Sequence, residues 1–533
     1  MAETCDNHDV VVIGAGFAGL YALHKLRGLG YDVHAVEAGS GVGGTWYWNR
    51  YPGARCDVDS IDYCYLFSPE LHAEWTWTER YAGQPEILRY AEHVAERFDL
   101  LPLITFDTRV TGADFDSSTD RWTVRTDRGD EIRCRFLITA VGCLSAVRTP
   151  SLPGLDRFAG RIAHTGRWPR DGVDFTGARA GVVGTGSSGI QLIPRIAESA
   201  DHLTVFQRTP HYSVPARNRP LSGRELRSAQ QSYADAVQQA LSTSGGYYMP
   251  PPDRSALADP PDARSARYER KWASGGMEIL STYNDLLLDP VANDTLAEFV
   301  RDKIRQIVTD PETAAALQPT SYPIGTKRIC LDTDYYATYN RLDVTLVDLR
   351  VTPIEQVVET GVVTAGRLHE LDVLVFATGY DAITGPLTGL GLRGTDGRAL
   401  AEHWADGPQT LLGVAVAGFP NLFTITGPGS PSVLTNVIRS IEQHVDWIAD
   451  CLEYLRVRGA TRIEAETQAQ EEWTAQVTYF ADFTLYPRAD SWYLGANIEG
   501  KPRQFMPYVA GLHTFRRACD EVAGAGYRGF RLG

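Results

Sequence analysis

At 533 residues the chain is too long to fold around one hydrophobic core, so two or three domains are expected. Its 43% hydrophobic and 22% charged residues are those of an ordinary soluble globular protein. A net charge of −15 argues against a nucleic-acid surface and leaves room only for a local basic pocket around a phosphate.

The first element is an apolar strand, Asp9–Ile13. It runs into the turn Gly14-Ala15-Gly16-Phe17-Ala18-Gly19 and then a helix with Leu20, Leu23, Leu26 and Leu29 on its apolar side, before a second strand over Asp32–Val36. The same construction recurs as the strand Gly181–Val183, the turn Gly184-Thr185-Gly186-Ser187-Ser188-Gly189, a helix with Ile190, Ile193 and Ile196, and the strand Leu203–Phe206. One GxGxxG is weak evidence, but two copies, each between strand and helix, read as two dinucleotide sites. The first glycine permits the tight turn, the second lets the backbone approach a pyrophosphate, and the third lets helix and strand pack closely. Free N–H groups at the helix start then face the anion.

The copies differ in their acidic position. Glu37 stands 23 residues after Gly14, an acceptor for ribose hydroxyls, whereas Gln207 and then Arg208 stand at the matching place after Gly184. A carboxylate there repels a 2′-phosphate, and a guanidinium binds it through charge-assisted hydrogen bonds. The first site therefore suits the ADP half of FAD, and the second suits NADPH over NADH.

Between about 215 and 323 the pattern changes. Pro250–Pro252 and Pro260-Pro261 mark loops, while Arg267–Leu288 and Ala292–Thr309 read as largely helical. Strands resume at Val344–Val347 and Asp372–Phe376, followed by Ala377-Thr378-Gly379-Tyr380. The fold class expected is α/β, with two Rossmann-like dinucleotide-binding domains and a helical insertion in the second. The FAD domain is assigned to 1–143 and 381–533, the NADP domain to 144–214 and 324–380, and the insertion to 215–323. The loops Gly427–Pro431 and Gly495–Arg503 fall in the returning part.

Eight cysteines (Cys5, Cys56, Cys64, Cys134, Cys143, Cys330, Cys451 and Cys519) form no CxxC pair, which argues against zinc and against a disulfide framework and for a reducing, cytoplasmic setting. No secretory leader and no run of about 18 apolar residues is visible, so no membrane association is expected.

The stretch Phe158-Ala159-Gly160-Arg161-Ile162-Ala163-His164-Thr165-Gly166-Arg167-Trp168-Pro169 fits FxGxxxHxxxWP and lies between the two nucleotide turns. In this, and in Gly43–Val58, Gln84-Pro85-Glu86, Gly325–Arg328, Gly427–Asn436 and Ser491–Asn497, the chain resembles the Baeyer–Villiger monooxygenases, most closely the phenylacetone and steroid branch. The resemblance implies that NADPH reduces bound FAD and that a flavin C4a-peroxide attacks a ketone to give an ester or lactone. Oxidised NADP then stays bound throughout. A small-molecule ketone, whether aliphatic, aryl-alkyl or steroid, and O2 are the implied partners of a monomer, an oligomer staying open, with no nucleic acid and no membrane.

The resemblance also assigns residues. Arg328 matches the family's catalytic arginine, and Asp57 the carboxylate beside it. Arginine suits negative charge developing near the flavin because it stays protonated and offers several donors in one plane. Outside this context a Lys-Arg pair in a loop reads as surface charge. Lys327 and Arg208 match the positions that hold the NADP 2′-phosphate. Gly14, Gly16, Phe17, Ala18, Gly19, Glu37, Gly44, Thr45, Trp46, Asp57, Tyr63 and Val110 are assigned to FAD. Gly184, Thr185, Gly186, Ser187, Ser188, Gly189, Gln191, Arg208, Thr209, Lys327, Arg328, Thr378 and Gly379 complete the cofactor set. Ser432, Val433 and Leu434, uncharged and mostly apolar, and Trp492 are assigned to an uncharged substrate. His164 is read as structural, in a linker between domains, and not as a base. Cys143 and Glu499 depart from the branch, which has an amide and a proline there.

Two other enzyme classes share these turns. An amine- or sulfide-oxidising flavin monooxygenase lacks the long FxGxxxHxxxWP form, and a disulfide oxidoreductase needs a redox cysteine pair that the spacing here does not supply. A non-catalytic nucleotide sensor would have no need to keep Arg328, Asp57 and Lys327 together.

Overall fold

A computed structural model describes residues 6–247 and 249–533, so Cys5 lies outside it. The chain is α/β with two parallel-cored sheets. The first is built on β1 (Asp6–Ile13), β2 (Val33–Val36), β3 (Ile104–Thr105), β4 (Val110–Asp116), β5 (Arg121–Thr126) and β6 (Glu131–Thr139). β1 pairs in parallel with β2 on one side and β6 on the other, with Ile13 opposite Val36 and Thr139. Val10, Val11 and Val12 are wholly buried, as expected of a central strand covered on both faces. Helix α1 (Phe17–Gly28) crosses from β1 to β2 and buries Leu20, Leu23 and Leu26.

The second sheet contains β7 (Arg161–His164), β8 (Arg179–Val183), β9 (His202–Gln207), β10 (Val344–Asp348) and β11 (Val373–Phe376) in the order β10-β9-β8-β11-β7, every pair parallel. Helix α2 (Ser187–Ala197) follows β8. This corrects one expectation: His164 does not sit in a linker but ends β7, opposite Phe376. The alternation is too short over four residues for a strand to be recognised without its partner.

Between the halves of the second sheet the chain runs through helices, including α3 (Tyr233–Ser242), Pro261–Ser274 and Pro290–Ile307. A short parallel pair, Ser213–Pro215 with Cys330–Asp332, closes this excursion. Arg267–Leu288 is not one helix. Pro261–Ser274 stops at Gly275 and Gly276, whose φ values of 70° and 90° no ordinary helix accepts, and a short 3-10 turn over Met277–Ser281 follows. Pro290–Ile307 begins where Asp289 accepts from the amides of Val291 and Ala292.

After β11 the chain returns to the first sheet through β12 (Leu392–Arg393) beside β4 and β13 (Leu422–Thr424) beside β6. Helices α4 (Val437–Arg458) and α5 (Leu512–Gly524) then cover it, α4 lying on α1. Among the described residues no helix is long and apolar enough to cross a membrane.

Candidate active site

The two glycine turns have the same geometry. Gly14 and Gly184 hold φ at 105° and 108°, and a side chain on either would meet the carbonyl of Ala140 at 2.7 Å or of Ala377 at 2.5 Å. At the third glycine, a Cβ on Gly19 would stand 1.9 Å from the Gly14 carbonyl, and one on Gly189 2.3 Å from that of Gly184. These positions are glycine because the backbone itself fills the space. The middle glycines differ. A Cβ on Gly16 would come within 3.3 Å of Gly44, whereas one on Gly186 would meet nothing within 4 Å. The open space at Gly186 lies directly before α2, where Ser187 and Ser188 begin the helix and unpaired N–H groups favour a phosphate. The residues present fit a dinucleotide.

Phe17 and Ala18 form the first turn of α1, and the Phe17 ring packs beside Tyr63. Glu37, buried after β2, accepts from the amide of Ala15 at 2.8 Å and of Gly39 at 2.6 Å. Burial raises its carboxyl above the usual range, against the pull of those amides. Gly44 opens the short helix Thr45–Trp48, and the Trp46 indole donates to the Tyr63 hydroxyl at 3.1 Å. Val110 begins β4 with its side chain in a core cluster that includes Val11, Ile13 and Val36.

Arg328 and Asp57, 271 residues apart, meet in a two-pronged ion pair: Nε donates to Oδ2 at 2.5 Å and Nη2 to Oδ1 at 2.7 Å. Nη1 donates to the Val433 carbonyl at 2.7 Å. Burial works against the charge on Arg328, but Asp57 outweighs it and holds the guanidinium well above its ordinary value. Burial likewise raises Asp57, and Arg328 overrides it, so the carboxyl sits below the usual range. Both groups are therefore ionised at any working pH. Of the five N–H bonds of the guanidinium these partners use three, and the Tyr493 hydroxyl also hydrogen-bonds the guanidinium.

Lys327 lies 4.7 Å from the Tyr322 ring. Burial, followed by the charge of Arg208, lowers its pKa to about 8, so two cations crowd a site with too few anions. Arg208 is exposed just beyond β9. Gln207, buried, turns inward to donate to the Ala316 carbonyl at 2.9 Å, leaving that edge to Arg208. Thr185 donates to the Thr209 carbonyl at 3.2 Å. Gln191 accepts from Tyr51 at 2.8 Å and donates to the Arg55 carbonyl at 3.1 Å, so it ties α2 to the first sheet's loops. Thr378 donates to the Arg148 carbonyl at 2.6 Å, and Gly379 has φ 81°.

Ser432, Val433 and Leu434 form a short 3-10 turn, with Ser432 buried at φ 42°, a strained value for a residue with a side chain. Val433 shares an apolar cluster with Tyr486, Tyr493 and Phe505, against which Leu434, Trp492 and Cys143 pack. Burial raises the Cys143 thiol. The Trp492 ring lies 4.3 Å from that of Tyr493. The segment after it is held down: Asn497 donates to the Tyr380 carbonyl at 2.9 Å, and Lys501 pairs with Asp381, while Glu499 is exposed.

Tyr493 and Tyr247 were not identifiable from sequence. Tyr493 follows Trp492 in a motif whose second aromatic carries no spacing signal. Tyr247 lies in the insertion, where the Gly245 carbonyl accepts from Asn436 at 2.9 Å beside the Ser432–Leu434 turn. Burial pushes its hydroxyl up to about 12, and Arg328, Asp62 and Asp57 all act on it.

His164 Nδ1 accepts from the Gly166 amide at 2.9 Å, so the ring proton is on Nε2, which faces the Arg148 carbonyl at 3.1 Å. Burial lowers its pKa to about 4. A neutral ring with both nitrogens engaged by backbone is a strut.

Residues 8–231 match the pyridine nucleotide-disulphide oxidoreductase family model. The described cysteines are all free thiols. Over the whole chain the similarity is to oxygenases. Acetone monooxygenase (methyl acetate-forming) of Gordonia sp. is 42% identical over 98% of this chain and 99% of its own. A Baeyer–Villiger monooxygenase of Pseudooceanicola batsensis is 41% identical over 97% and 95%. Among solved structures, oxidized steroid monooxygenase bound to NADP is 53% identical with a TM-score of 0.94, covering 99% of both chains. OTEMO in complex with FAD and NADP is 40% identical with a TM-score of 0.96, again covering 99% of both.

Proposed function

The chain belongs to the Baeyer–Villiger monooxygenases, and on that premise we propose that it uses NADPH and O2 to insert one oxygen atom beside the carbonyl of an uncharged ketone, giving an ester or lactone. Bound FAD supplies the hydride acceptor and the site of oxygen activation. The observation that carries the reading is the two-pronged Arg328–Asp57 pair, which fixes a permanent cation beside the Ser432–Leu434 turn. Arg328 stabilises negative charge on oxygen as it develops, at a position set in advance by Asp57 and the Val433 carbonyl. Asp57 orients the guanidinium and tempers its field.

Glu37 and the turn Gly14–Gly19 hold FAD in this proposal, with Gly44, Thr45, Trp46, Tyr63 and Val110 around it. The turn Gly184–Gly189 takes the pyrophosphate of NADPH, and Arg208 and Lys327 its 2′-phosphate. Ser432, Val433, Leu434 and Trp492 shape the ketone pocket, together with Tyr247 and Tyr493. The division into a FAD domain (1–143 and 381–533), an NADP domain (144–214 and 324–380) and an insertion (215–323) is supported by the strand pairings and by the bridge between Val147 and Tyr380, where the two crossing segments meet. A reducing, cytoplasmic setting is proposed from the free thiols of the described cysteines and the NADPH requirement.

The test is a ketone panel with the FAD-loaded protein, scoring NADPH oxidation, O2 uptake and product. Equimolar consumption with an ester that contains one atom from labelled O2 is expected. Amine or sulfide oxides without any ester would refute the reading.

A further inference from the structure

Arg328 has a third partner besides Asp57 and the Val433 carbonyl: the Tyr493 hydroxyl also hydrogen-bonds the guanidinium. Arginine carries donors and no acceptor, so the phenol oxygen receives this bond and keeps its own proton. Burial pushes the phenol above its ordinary range, against the pull of Arg328, and the hydroxyl stays neutral at any working pH. Tyr493 therefore adds no counter-charge to the site. What it adds is direction.

The three acceptors come from three distant parts of the chain. Asp57 stands in a loop after the helix Thr45–Trp48, Val433 in the Ser432–Leu434 turn, and Tyr493 in the 3-10 turn Trp492–Leu494. The last of these is firmly held. The Tyr493 carbonyl accepts from the Met506 amide at 2.9 Å, and the Leu494 carbonyl from the Gln504 amide at 3.2 Å. The Tyr493 ring lies 5.7 Å from that of Tyr486 and 6.4 Å from that of Phe505, within the cluster that also contains Val433. Gly495 ends the turn at φ 71°, against the Lys501 side chain, which is itself paired with Asp381. Only 2% exposed among these neighbours, Tyr493 presents its hydroxyl at a fixed point. Each acceptor so fixed narrows the directions in which the remaining guanidinium donors can aim.

We propose that Tyr493 is a positioning residue: its hydroxyl orients Arg328, so that the C-terminal segment 491–503 sets the aim of the cation on the reacting oxygen. This rests on the oxygenation reading above. Tyr493 acts through Arg328 and moves no proton to or from the ketone.

Tyr493→Phe keeps the ring and removes the oxygen. In the FAD-loaded full chain, with a ketone that the parent converts, ester formed per NADPH should fall by about tenfold, hydrogen peroxide taking its place. KM for the ketone should stay within about twofold, because the ring wall is preserved. A second measurement needs no turnover: Tyr493→Phe should lower the melting temperature of the parent by about 1 °C or more and should not lower that of Arg328→Ala, where its partner is gone. Ester per NADPH within threefold of the parent overturns the proposal. So does a loss explained by a raised KM, or a melting shift of equal size in both backgrounds, since either would make Tyr493 a packing residue alone. A parent that makes no ester from any ketone overturns the oxygenation reading, and this proposal with it; a parent that makes ester while the phenylalanine variant couples normally overturns the positioning role alone.

Discussion

Replacing Arg328 with lysine preserves charge and removes geometry, which separates the two contributions of this residue. The arginine commits Nε and Nη2 to Asp57 and one N–H of Nη1 to the Val433 carbonyl, and the Tyr493 hydroxyl also meets the guanidinium, so its donors are held in one fixed plane. A lysine offers three donors on a flexible stem; satisfying Asp57 and Val433 leaves one, with no plane to aim it. Losing a preorganised donor to developing oxyanion charge costs about 10²–10³ in rate, or about 2.7–4 kcal/mol of barrier. Ester formation in Arg328→Lys should therefore fall by about that factor while FAD stays bound, since the Glu37 and Gly14–Gly19 contacts are untouched. The assay pairs gas chromatography of the ester with NADPH oxidation and peroxide release, and uncoupled NADPH oxidation should persist. Arg328→Ala should abolish the ester and also retain FAD. Ester formation within threefold of the parent in the lysine variant would show that charge alone suffices and that the fork has no role.

Lys327, with a pKa near 8 in the free protein, must be protonated to meet a 2′-phosphate dianion, so KM for NADPH should be flat below about pH 8 and rise toward tenfold per unit above it. Stability moves the other way: the folded-state pKa lies below 10.5, so the penalty of burying the charged lysine is present below about 8 and is relieved as pH rises from there to 10.5. Lys327→Ala should raise KM and flatten its pH dependence, and KM in the parent should increase with salt. Gly186→Ala should fold with normal melting and FAD content yet raise KM for NADPH by about tenfold or more, because its Cβ enters open space that the pyrophosphate needs; Gly189→Ala, meeting a carbonyl at 2.3 Å, should instead reduce soluble yield. Glu37→Gln leaves one of the amides of Ala15 and Gly39 without an acceptor, a cost of about 1–3 kcal/mol that should appear as FAD loss on gel filtration, read from the visible absorbance.

The sequence by itself determined what short windows encode. Both glycine turns, the strands before them, and the contrast between Glu37 and Arg208 were legible because a φ near 105° and a helix start are specified within six residues. Longer-range features were not. The Arg328–Asp57 pair could be inferred only through the family resemblance, since no local rule joins residues 271 apart. The role of β7 as an edge strand, the break at Gly275-Gly276, and the delivery of Tyr247 beside the Ser432–Leu434 turn were decided by packing. The physical reason is that backbone geometry is a property of neighbours along the chain. The company a side chain keeps is set by which distant surfaces bury one another, and that balance is struck only in the complete fold.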